Sequence, residues 1–402
     1  NSIGVQGEKM LSDDAAAFSI DEYHRRITNL RALMATSDMD AVLLTTASNH
    51  RYFTGHETHR WTHKYTGIFA LLPARNEPVL IVPPMEACMC AEDSWIQTIR
   101  TFPAEHVLQG VEAIVDAVRE LGLEPGRIGT ELGGMNWMRM SFEDFGQLQK
   151  DLPRIEFVDA SALIWQLRAR KSRCEVDLIR QAVAITDQAY EVLFAKIKPG
   201  MTEREVHRML AVEHLSRGAE MPGSITMAPC IPGSDRISDR TLRRPTDRVL
   251  TSGELITQDA GGVFRGYWSD YTRMFALERA SSLHREIYRI VFDCLQAAIA
   301  VIRPGLTIAE LVRASNAVLQ ERGYSEHAEC VTGIGHAMGL DIIEPPFISF
   351  ENHVLLEEGM ILTVEPGLST AGSLFMLEED VLVTDYGAEV LSAPVPDELP
   401  VL

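Results

Sequence analysis

Two short segments of the 402-residue chain repeat one pattern, KPGMTEREV at 198–206 and RPGLTIAEL at 303–311. Each combines a basic residue, a Pro-Gly pair and a Thr-x-x-Glu box that is typical of a helix N-terminus. Each follows one amphipathic helical pattern and begins another, and strand-like sequence with glycines comes after each helix pair. The repeat predicts a domain of two related halves, and a duplicated domain often has its site where the halves meet. A chance repetition of two helix caps is the alternative interpretation.

The first part of the chain has a different pattern. Strands are predicted by short apolar runs at 40–46, 67–74 and 77–84. Helices are predicted by apolar residues at helical spacing at 21–34 and 111–121. This alternation indicates an α/β layer, which gives way to a long amphipathic helix with a Ser-x-x-Glu cap at Ser172. We place the domain boundary near residue 160, with an N-terminal domain over 1–160 and the duplicated domain over 161–402.

Composition excludes some partners. The formal net charge of −20 repels phosphate backbones and anionic membrane surfaces, so we expect neither nucleic acid nor a membrane as a partner. With 46% apolar and 23% charged residues, the composition is that of an ordinary globular protein. No apolar run reaches the length of a membrane span, and segment 1–20 lacks the order of a secretory signal, so we expect a cytoplasmic protein.

Acidic residues occupy matching places in the two predicted halves. In the first half, two strands joined by a glycine-containing turn carry Asp259 near the end of one strand and Asp270 within the other. The second half repeats this arrangement with Glu365 and Glu378. Between them, His336 lies in a predicted loop of small residues that could bring its imidazole close to the acids. Each acid taken singly could be a solvated turn carboxylate, but together they follow apolar or aromatic runs, where burying an unpaired charge is costly.

A bound cation would remove that cost. Four carboxylates and one imidazole suit two hard divalent ions such as Mn, Fe or Co, with Zn as a further candidate, and they argue against a thiolate-rich structural zinc site. Two ions about 3.5–4 Å apart need bridging oxygens, and together they can hold a hydroxide and polarise a carbonyl. The pattern therefore predicts a two-metal hydrolase.

The order of these motifs resembles the Xaa-Pro aminopeptidase, prolidase and creatinase family. The resemblance covers nearly the whole chain, through NHRYFTG, LRARKSRCEVDLIRQAVAITDQAY, DAGGVFRGYWSDYTRMF, GHAMGLDIIEPP, TVEPGL and LEEDVLVT. It implies an α/β N-terminal domain of the creatinase/prolidase type and an α+β catalytic domain with the pita-bread fold and its internal pseudo-two-fold repeat. It also implies a homodimer that hydrolyses a C–N amide or peptide bond in a small-molecule or short-peptide substrate.

The resemblance also implies a role for each acid. Asp259 would bind one metal ion, and Asp270 would bridge both ions. The second bridging acid would be Glu378, because the family's E-D-x-V-L-V-T pattern aligns with EEDVLVT in this chain. Glu379 is the neighbouring alternative.

His336 and Glu365 would bind the second ion, and both are expected to be catalytic residues. Glu365 would also relay a proton from the bridging water to the leaving group, which is the usual task of a general acid–base residue.

Three positions outside the metal ligands depart from the family pattern. A second histidine of the family is Ile343 here, an arginine that often precedes the last Glu by two is Met376, and an upstream histidine is replaced by an arginine-rich stretch. Such residues hold the substrate and stabilise the tetrahedral intermediate. If arginines of the upstream stretch replace them, we expect an anionic or zwitterionic substrate. The arginines expected to grip it are Arg236, Arg240, Arg243 and Arg244. A salt-bridged surface loop is an equal alternative.

The segment HETHRWTHKY contains three histidines, His56, His59 and His63, which could be interpreted as a separate metal site. No carboxylate or cysteine completes a closed ligand shell within the segment. The resemblance implies another role, in which this loop reaches the active-site mouth of the partner subunit and Trp61 and Tyr65 contact the substrate. A solvated aromatic loop is the alternative.

Two other functions stay open. A non-peptidase enzyme, either a creatinase-like hydrolase or one similar to dimethylsulfoniopropionate lyase, would use the same fold on a small polar metabolite. A metal-free binding protein fits poorly, because a degenerate site has no reason to keep all five ligands.

Overall fold

The computed structural model describes residues 17–63, 66–103, 110–230, 242–324, 333–370 and 372–402. The chain divides into two compact units, of which the first ends at Arg168 and the second begins at Ala169. The first unit therefore extends beyond the boundary expected near residue 160 and includes most of one more helix. None of the helices in the described ranges is both long enough and apolar enough to cross a membrane.

The first unit contains a six-stranded sheet. Its strands are β1 (Ala41–Leu44), β2 (Phe69–Pro73), β3 (Val79–Val82), β4 (Thr98–Thr101), β5 (Gly126–Thr130) and β6 (Ile155–Asp159). Their order is β4-β3-β2-β1-β5-β6, with β1 antiparallel to β2 and parallel to β5. Every residue of β1, β2 and β3 is buried, which explains why continuous apolar runs predicted these three strands correctly.

Among the described residues, six α-helices accompany this sheet. They are α1 (Ile20–Thr36), α2 (Ala47–Thr54), α3 (Pro84–Asp93), α4 (Val111–Glu120), α5 (Phe142–Asp151) and α6 (Ser161–Ala169). The predicted helices at 21–34 and 111–121 are confirmed as α1 and α4. The apolar face of α4 packs against strand residues such as Leu43 and Leu71, so this unit has its own hydrophobic core.

The second unit begins each of its halves with a helix pair. The pairs are α7 (Arg173–Lys196) with α8 (Glu203–Ser216), and α9 (Ser282–Ala300) with α10 (Ile308–Glu321). Capping boxes at Ser172, Thr202 and Thr307 begin α7, α8 and α10. Both copies of the repeated segment thus begin a helix at the predicted threonine, and the duplicated organisation is confirmed at the level of helix starts.

Each helix pair is followed by antiparallel strands. In the first half these are β7 (Ile225–Cys230), β8 (Leu255–Ala260), β9 (Val263–Phe264), β10 (Tyr267–Trp268) and β11 (Tyr271–Ala276). In the second half they are β12 (Gly335–Ala337), β13 (Glu344–Phe347), β14 (Ile361–Val364), β15 (Gly367–Thr370), β16 (Ser373–Met376), β17 (Glu379–Thr384) and β18 (Gly387–Val390). The main sheets have the orders β11-β8-β7 and β13-β12-β14-β17-β18, and β9–β10 and β15–β16 form two small hairpins.

The two halves meet along β11 and β17. The backbone N–H of Asp270, directly before β11, donates to Asp380 Oδ2 of β17 at 3.1 Å. The Arg273 guanidinium of β11 donates to the carbonyl oxygen of Glu378 at 2.7 Å. These contacts bring the acidic ends of the two hairpins together at the seam between the halves.

Candidate metal centre

The four predicted acids lie at equivalent strand ends of the two halves. Asp259 lies near the end of β8, and Glu365 directly follows β14. Asp270 directly precedes β11 and Glu378 directly precedes β17, so Asp270 is not within a strand as predicted but in the short segment between β10 and β11. The expectation of two carboxylates on a hairpin in each half is otherwise confirmed.

Glycine permits the close approach of backbones in this region. A Cβ atom at Gly261 would lie 1.9 Å from the carbonyl oxygen of Ser269, so only glycine allows the chain after Asp259 to pass this close to the residue before Asp270. Gly335 has a φ of +142°, and a Cβ atom there would lie 1.9 Å from the carbonyl oxygen of Thr363. The small residues in these motifs are therefore part of what brings the acids and the histidine together.

His336 belongs to a strand, although the sequence predicted a loop. It lies in β12 and pairs with Thr363 of β14, because Gly335 lets β12 approach β14 closely. Its Nδ1 lies 3.0 Å from the carbonyl oxygen of Ala337, and a proton donated there leaves Nε2 with a free lone pair. Nε2 is 3.6 Å from Glu365 Oε1 and 3.9 Å from Asp270 Oδ2.

The side chains of this site converge on one small volume. Asp270, His336 and Glu378 each offer a ligand atom, and these three atoms lie within 4.8 Å of one another. The carboxyl group of Asp259 is within hydrogen-bonding distance of that of Asp270. Within the described parts of the chain, no other group of His, Cys, Asp and Glu side chains meets the same distance limit.

Burial disfavours the charged forms of all four acids, and repulsion from neighbouring carboxylates adds to this effect for Asp270, Glu365 and Glu378. Burial raises the pKa of Asp259 to about 6, and burial together with the Asp259 carboxylate raises the pKa of Glu365 to about 8. The pKa values of Asp270 and Glu378 are raised well above their ordinary range by burial and by the neighbouring carboxylates. Burial also lowers the pKa of His336, which favours the neutral imidazole that metals bind.

The donor set fits divalent cations. Asp259 Oδ1 is buried and has no hydrogen-bond partner among the described residues. Carboxylate oxygens and one imidazole nitrogen are ligands that Mn, Fe, Co and Zn accept. A cation among these oxygens would remove the repulsion that raises their pKa values.

Family models match both parts of the chain. The model of metallopeptidase family M24 matches residues 177–385, and that of the creatinase/prolidase N-terminal domain matches residues 26–170. The chain belongs to metallopeptidase family M24. It is therefore a metal-dependent hydrolase, and the family implies the use of a divalent metal.

Similar proteins support this assignment. An uncharacterized peptidase of Bacillus subtilis strain 168 is 28% identical over 380 residues, which cover 94% of this chain and 100% of the relative. The solved structure of an Xaa-Pro dipeptidase from Bacillus anthracis is 25% identical, with a TM-score of 0.81 and coverage of 94% of this chain and 100% of that chain. A dipeptidase from Mycobacterium ulcerans is 26% identical, with a TM-score of 0.80 and coverage of 96% and 99%. The predicted fold class, with its α/β N-terminal domain and pita-bread catalytic domain, is confirmed.

The geometry of this M24 site separates Glu378 from Glu379. The Glu379 carboxylate accepts from the Arg273 guanidinium at 2.9 Å, from the Ser392 hydroxyl and from the backbone N–H of Val395 at 2.7 Å. Glu378 instead accepts from the Thr272 hydroxyl at 2.8 Å and lies with the other acids. Adjacent strand residues point to opposite faces of a sheet, so only one of the two can face the cluster.

Three residues near the acids were not found from the sequence. The Thr226 hydroxyl donates to Asp259 Oδ2 at 3.1 Å, and the Thr272 hydroxyl donates to Glu378. Asp380 adds a fifth buried carboxylate beside the cluster. Thr272 could have been predicted, because residues two apart, such as Asp270 and Thr272, point to the same side of an extended chain. Thr226 could not, because only the pairing of β7 with β8 brings it to Asp259.

Of the four predicted substrate-gripping arginines, the structure describes Arg243 and Arg244. The Arg243 guanidinium donates twice to Glu203, at 3.0 and 2.8 Å. Arg244 is exposed, and Arg236 and Arg240 lie outside the described residues. The pairing of Arg243 favours the alternative of a salt-bridged loop for that residue.

The two substituted family positions differ in exposure. Ile343 is 40% exposed, whereas Met376 is buried in β16 and paired with Gly367 of β15. Neither side chain can carry a charge or donate a hydrogen bond to a substrate.

The histidine-rich segment belongs to the first unit and does not form a three-histidine site. His56 is fully buried, with Nδ1 2.9 Å from Asp93 Oδ1. The rings of His59 and His63 are 5.8 Å apart, in and directly after a 3-10 helix that spans His59–Thr62. Trp61 lies in that helix with the Arg139 guanidinium 5.2 Å from its ring, and Tyr65 lies outside the described residues.

Proposed function

We propose that this M24 enzyme hydrolyses the peptide bond that precedes proline, in short Xaa-Pro peptides. The proposal rests on the convergence of Asp270, His336 and Glu378 within 4.8 Å, in a chain 25% identical over nearly its full length to an Xaa-Pro dipeptidase. Binding a metal at this cluster is the chemistry that its buried, mutually repelling carboxylates favour.

The five residues predicted from the sequence would hold two divalent ions, with Mn, Fe or Co favoured by the oxygen-rich set. Asp259 would bind one ion, His336 and Glu365 the other, and Asp270 and Glu378 would bridge both. Ions bound there would activate a water molecule and polarise the scissile carbonyl. The Thr226 and Thr272 hydroxyls would fix the orientation of Asp259 and Glu378 through the hydrogen bonds described above.

Glu365 is suited to move the proton. Its side chain keeps 15% of its surface exposed, compared with 8% for Asp270, so a substrate can reach it more easily. Its carboxylate would accept a proton from the attacking water and deliver that proton to the departing proline nitrogen. His336 Nε2 lies 3.6 Å from Glu365 Oε1. In the neutral imidazole with its proton on Nδ1, Nε2 carries no proton and would be free to bind the metal.

The substrate side of the site is expected to be unusual. Ile343 and Met376 offer no charged group to the substrate, so we expect weak turnover of simple Gly-Pro and Ala-Pro dipeptides. Loss of one preorganised donor typically costs about 10²–10³ in rate. We also infer a homodimer, as the family resemblance implies.

The test is a metal-resolved activity screen. Protein stripped of metal and reloaded separately with Mn, Fe, Co or Zn would be assayed on Xaa-Pro dipeptides, longer Xaa-Pro peptides, small amides and betaines. We expect turnover of at least one Xaa-Pro peptide with a loaded metal, and its loss in Glu365→Gln but not in the exposed control Glu358→Gln. Turnover of only an amide or betaine would replace the proposal with the non-peptidase alternative.

A further inference from the structure

Three buried polar side chains of the catalytic unit form a hydrogen-bonded network that reaches the residue directly before Asp270. They are Thr186 of α7, His214 of α8 and Ser269, and each of them is 0% exposed. Thr186 Oγ1 lies 3.0 Å from His214 Nε2 and 2.9 Å from Ser269 Oγ. Because these groups are shielded from bulk water, they satisfy their hydrogen bonds on one another. We call them the Thr-His-Ser network.

One carbonyl group sets the direction of the hydrogen bonds in the Thr-His-Ser network. His214 Nδ1 lies 2.7 Å from the carbonyl oxygen of Leu210, which can only accept, so Nδ1 carries a proton. Burial lowers the pKa of His214, so the imidazole is neutral and its Nε2 is an acceptor. The Thr186 hydroxyl therefore donates to His214 Nε2, and the Ser269 hydroxyl donates to Thr186 Oγ1.

The network holds the glycine turn that follows Asp259. With its proton donated to Thr186, Ser269 Oγ accepts from the backbone N–H of Gly262 at 3.0 Å. The backbone N–H of Ser269 donates to the carbonyl oxygen of Gly262, also at 3.0 Å. A Cβ atom at Gly262 would lie 2.7 Å from His214 Cδ2, so the imidazole packs directly against this turn. The network therefore fixes the main chain three residues after Asp259 and at the residue before Asp270.

The two acids of the first half need such support. The carboxyl groups of Asp259 and Asp270 are within hydrogen-bonding distance, and two carboxylates this close repel each other when both are ionised. Their main chain must be held in place by groups outside the acid cluster if they are to meet a metal ion with a fixed geometry.

We propose that Thr186 and His214 are positioning residues of the metal centre. Through Ser269 and Gly262 they hold the main chain that carries the two acids of the first half. This inference rests on the metal centre proposed above. Residues that support metal ligands in this way typically change metal affinity or activity by about 10–100-fold when they are replaced.

Thr186 allows the network to be interrupted at its middle. Thr186→Val has nearly the same shape but can neither donate to His214 nor accept from Ser269, whereas Thr186→Ser keeps the hydroxyl. Thr130→Val is the matched control, because Thr130 is also 0% exposed and its hydroxyl donates to the carbonyl oxygen of Leu43 at 2.8 Å. The control removes a buried hydroxyl of the same kind from the first unit.

The experiment is a titration of the full metal-stripped chain with divalent cobalt, measured by calorimetry and by the visible absorption spectrum of the bound ion. Thr186→Val should weaken cobalt binding about tenfold and change the spectrum, because displaced ligands alter the geometry around the ion. Thr186→Ser should retain the wild-type affinity and spectrum, because its hydroxyl can make both hydrogen bonds. Thr130→Val should lower the melting temperature and change neither the affinity nor the spectrum.

Ser269→Ala keeps the test decisive if Thr186→Val does not fold. This smaller change removes the hydroxyl that accepts from Gly262, and it should also weaken cobalt binding about tenfold. If both variants fold, the double variant should bind cobalt no more weakly than Ser269→Ala alone, because both changes interrupt the same network.

Wild-type cobalt affinity and spectrum in the folded variants would overturn the positioning role. An equal loss of affinity in Thr130→Val, or losses that add in the double variant, would overturn it as well. Failure of the wild-type protein to bind cobalt is a distinguishable result, because it would overturn the metal centre itself and any positioning role along with it.

Discussion

Glu203 and Glu378 are two carboxylates of the catalytic unit with the same degree of burial and opposite electrostatic surroundings. Glu203 is 0% exposed and Glu378 is 2% exposed. Burial alone would raise the pKa of Glu203, but hydrogen bonds from Thr246, Arg248 and Arg243 lower it below its ordinary value. Burial raises the pKa of Glu378 well above its ordinary value, and the neighbouring acids raise it further.

The difference shows how the partners of a solvent-excluded acid distinguish a structural acid from a proposed metal ligand in this fold. Glu203 finds its cations within the chain, because Arg243 and Arg248 both donate to it. The cluster around Glu378 has no cation among the described residues within salt-bridge distance other than the imidazole of His336, and burial keeps that imidazole neutral. A buried group of acids of this kind must either hold protons or bind a cation from solution.

The largest effect is expected at the centre of the acid cluster. Asp270→Ala should abolish binding of both metal ions and lower turnover by about a thousandfold or more, because Asp270 is the acid proposed to bridge them. Metal content would be measured by mass spectrometry after dialysis, next to activity on the best Xaa-Pro peptide. Retention of both metal and activity in Asp270→Ala would contradict the proposal that Asp270 is a metal ligand.

The next effect concerns pH and separates the metal-free from the loaded protein. Without metal, the folded-state pKa values of Asp259 and Glu365 are raised from 3.8 to about 6 and from 4.5 to about 8. The folded state then holds protons that the unfolded state releases, so the contribution of these two acids to stability is greatest at low pH and falls as pH rises from about 4 to about 8.

This loss should amount to a few kcal/mol across the window, and saturating Mn should remove it. The measurement is the melting temperature from pH 5 to pH 8 with chelator and with Mn. The same pH slope under both conditions would contradict a cation site among these acids.

A smaller effect is expected at the paired acid. Glu203→Gln should lower the free energy of unfolding by about 2–4 kcal/mol, because two partly buried guanidinium groups lose their charged partner. Chemical denaturation with chelator and with Mn would measure it. Metal content should stay at the wild-type level, and a loss of metal would contradict the structural role of Glu203.

The smallest effect distinguishes two neighbouring arginines. Arg243→Ala should lower the free energy of unfolding by about 1–3 kcal/mol and leave KM unchanged, because its guanidinium is held by Glu203. The exposed Arg244→Ala should leave stability unchanged. A raised KM with unchanged stability in Arg243→Ala would indicate that Arg243 contacts the substrate.

Local signals in the sequence predicted much of the fold. The capping boxes at Thr202 and Thr307 mark helix starts because side chain and backbone satisfy each other within four residues. The buried strands β1 to β3 were predicted because strands covered on both faces need continuous apolar sequence. The four acids were predicted because a similar pattern of two strands with an acid on each recurs in both halves.

Contacts between distant segments could not be predicted in this way. No local pattern links Arg273 to Glu379, or Arg243 to Glu203, because strand pairing and loop packing bring them together. His336 was predicted in a loop because glycines surround it, yet Gly335 uses its freedom to let a strand form against Thr363.

The most direct test of the central claim is a crystal structure of the enzyme grown with Mn, with anomalous scattering used to locate the metal. We predict two anomalous peaks per chain, bound by Asp259, Asp270, His336, Glu365 and Glu378, with Glu379 still paired to Arg273. An acid cluster without a peak in Mn-saturated crystals, or a peak bound by Glu379 instead of Glu378, would contradict the claim that the unpaired acids form the metal site.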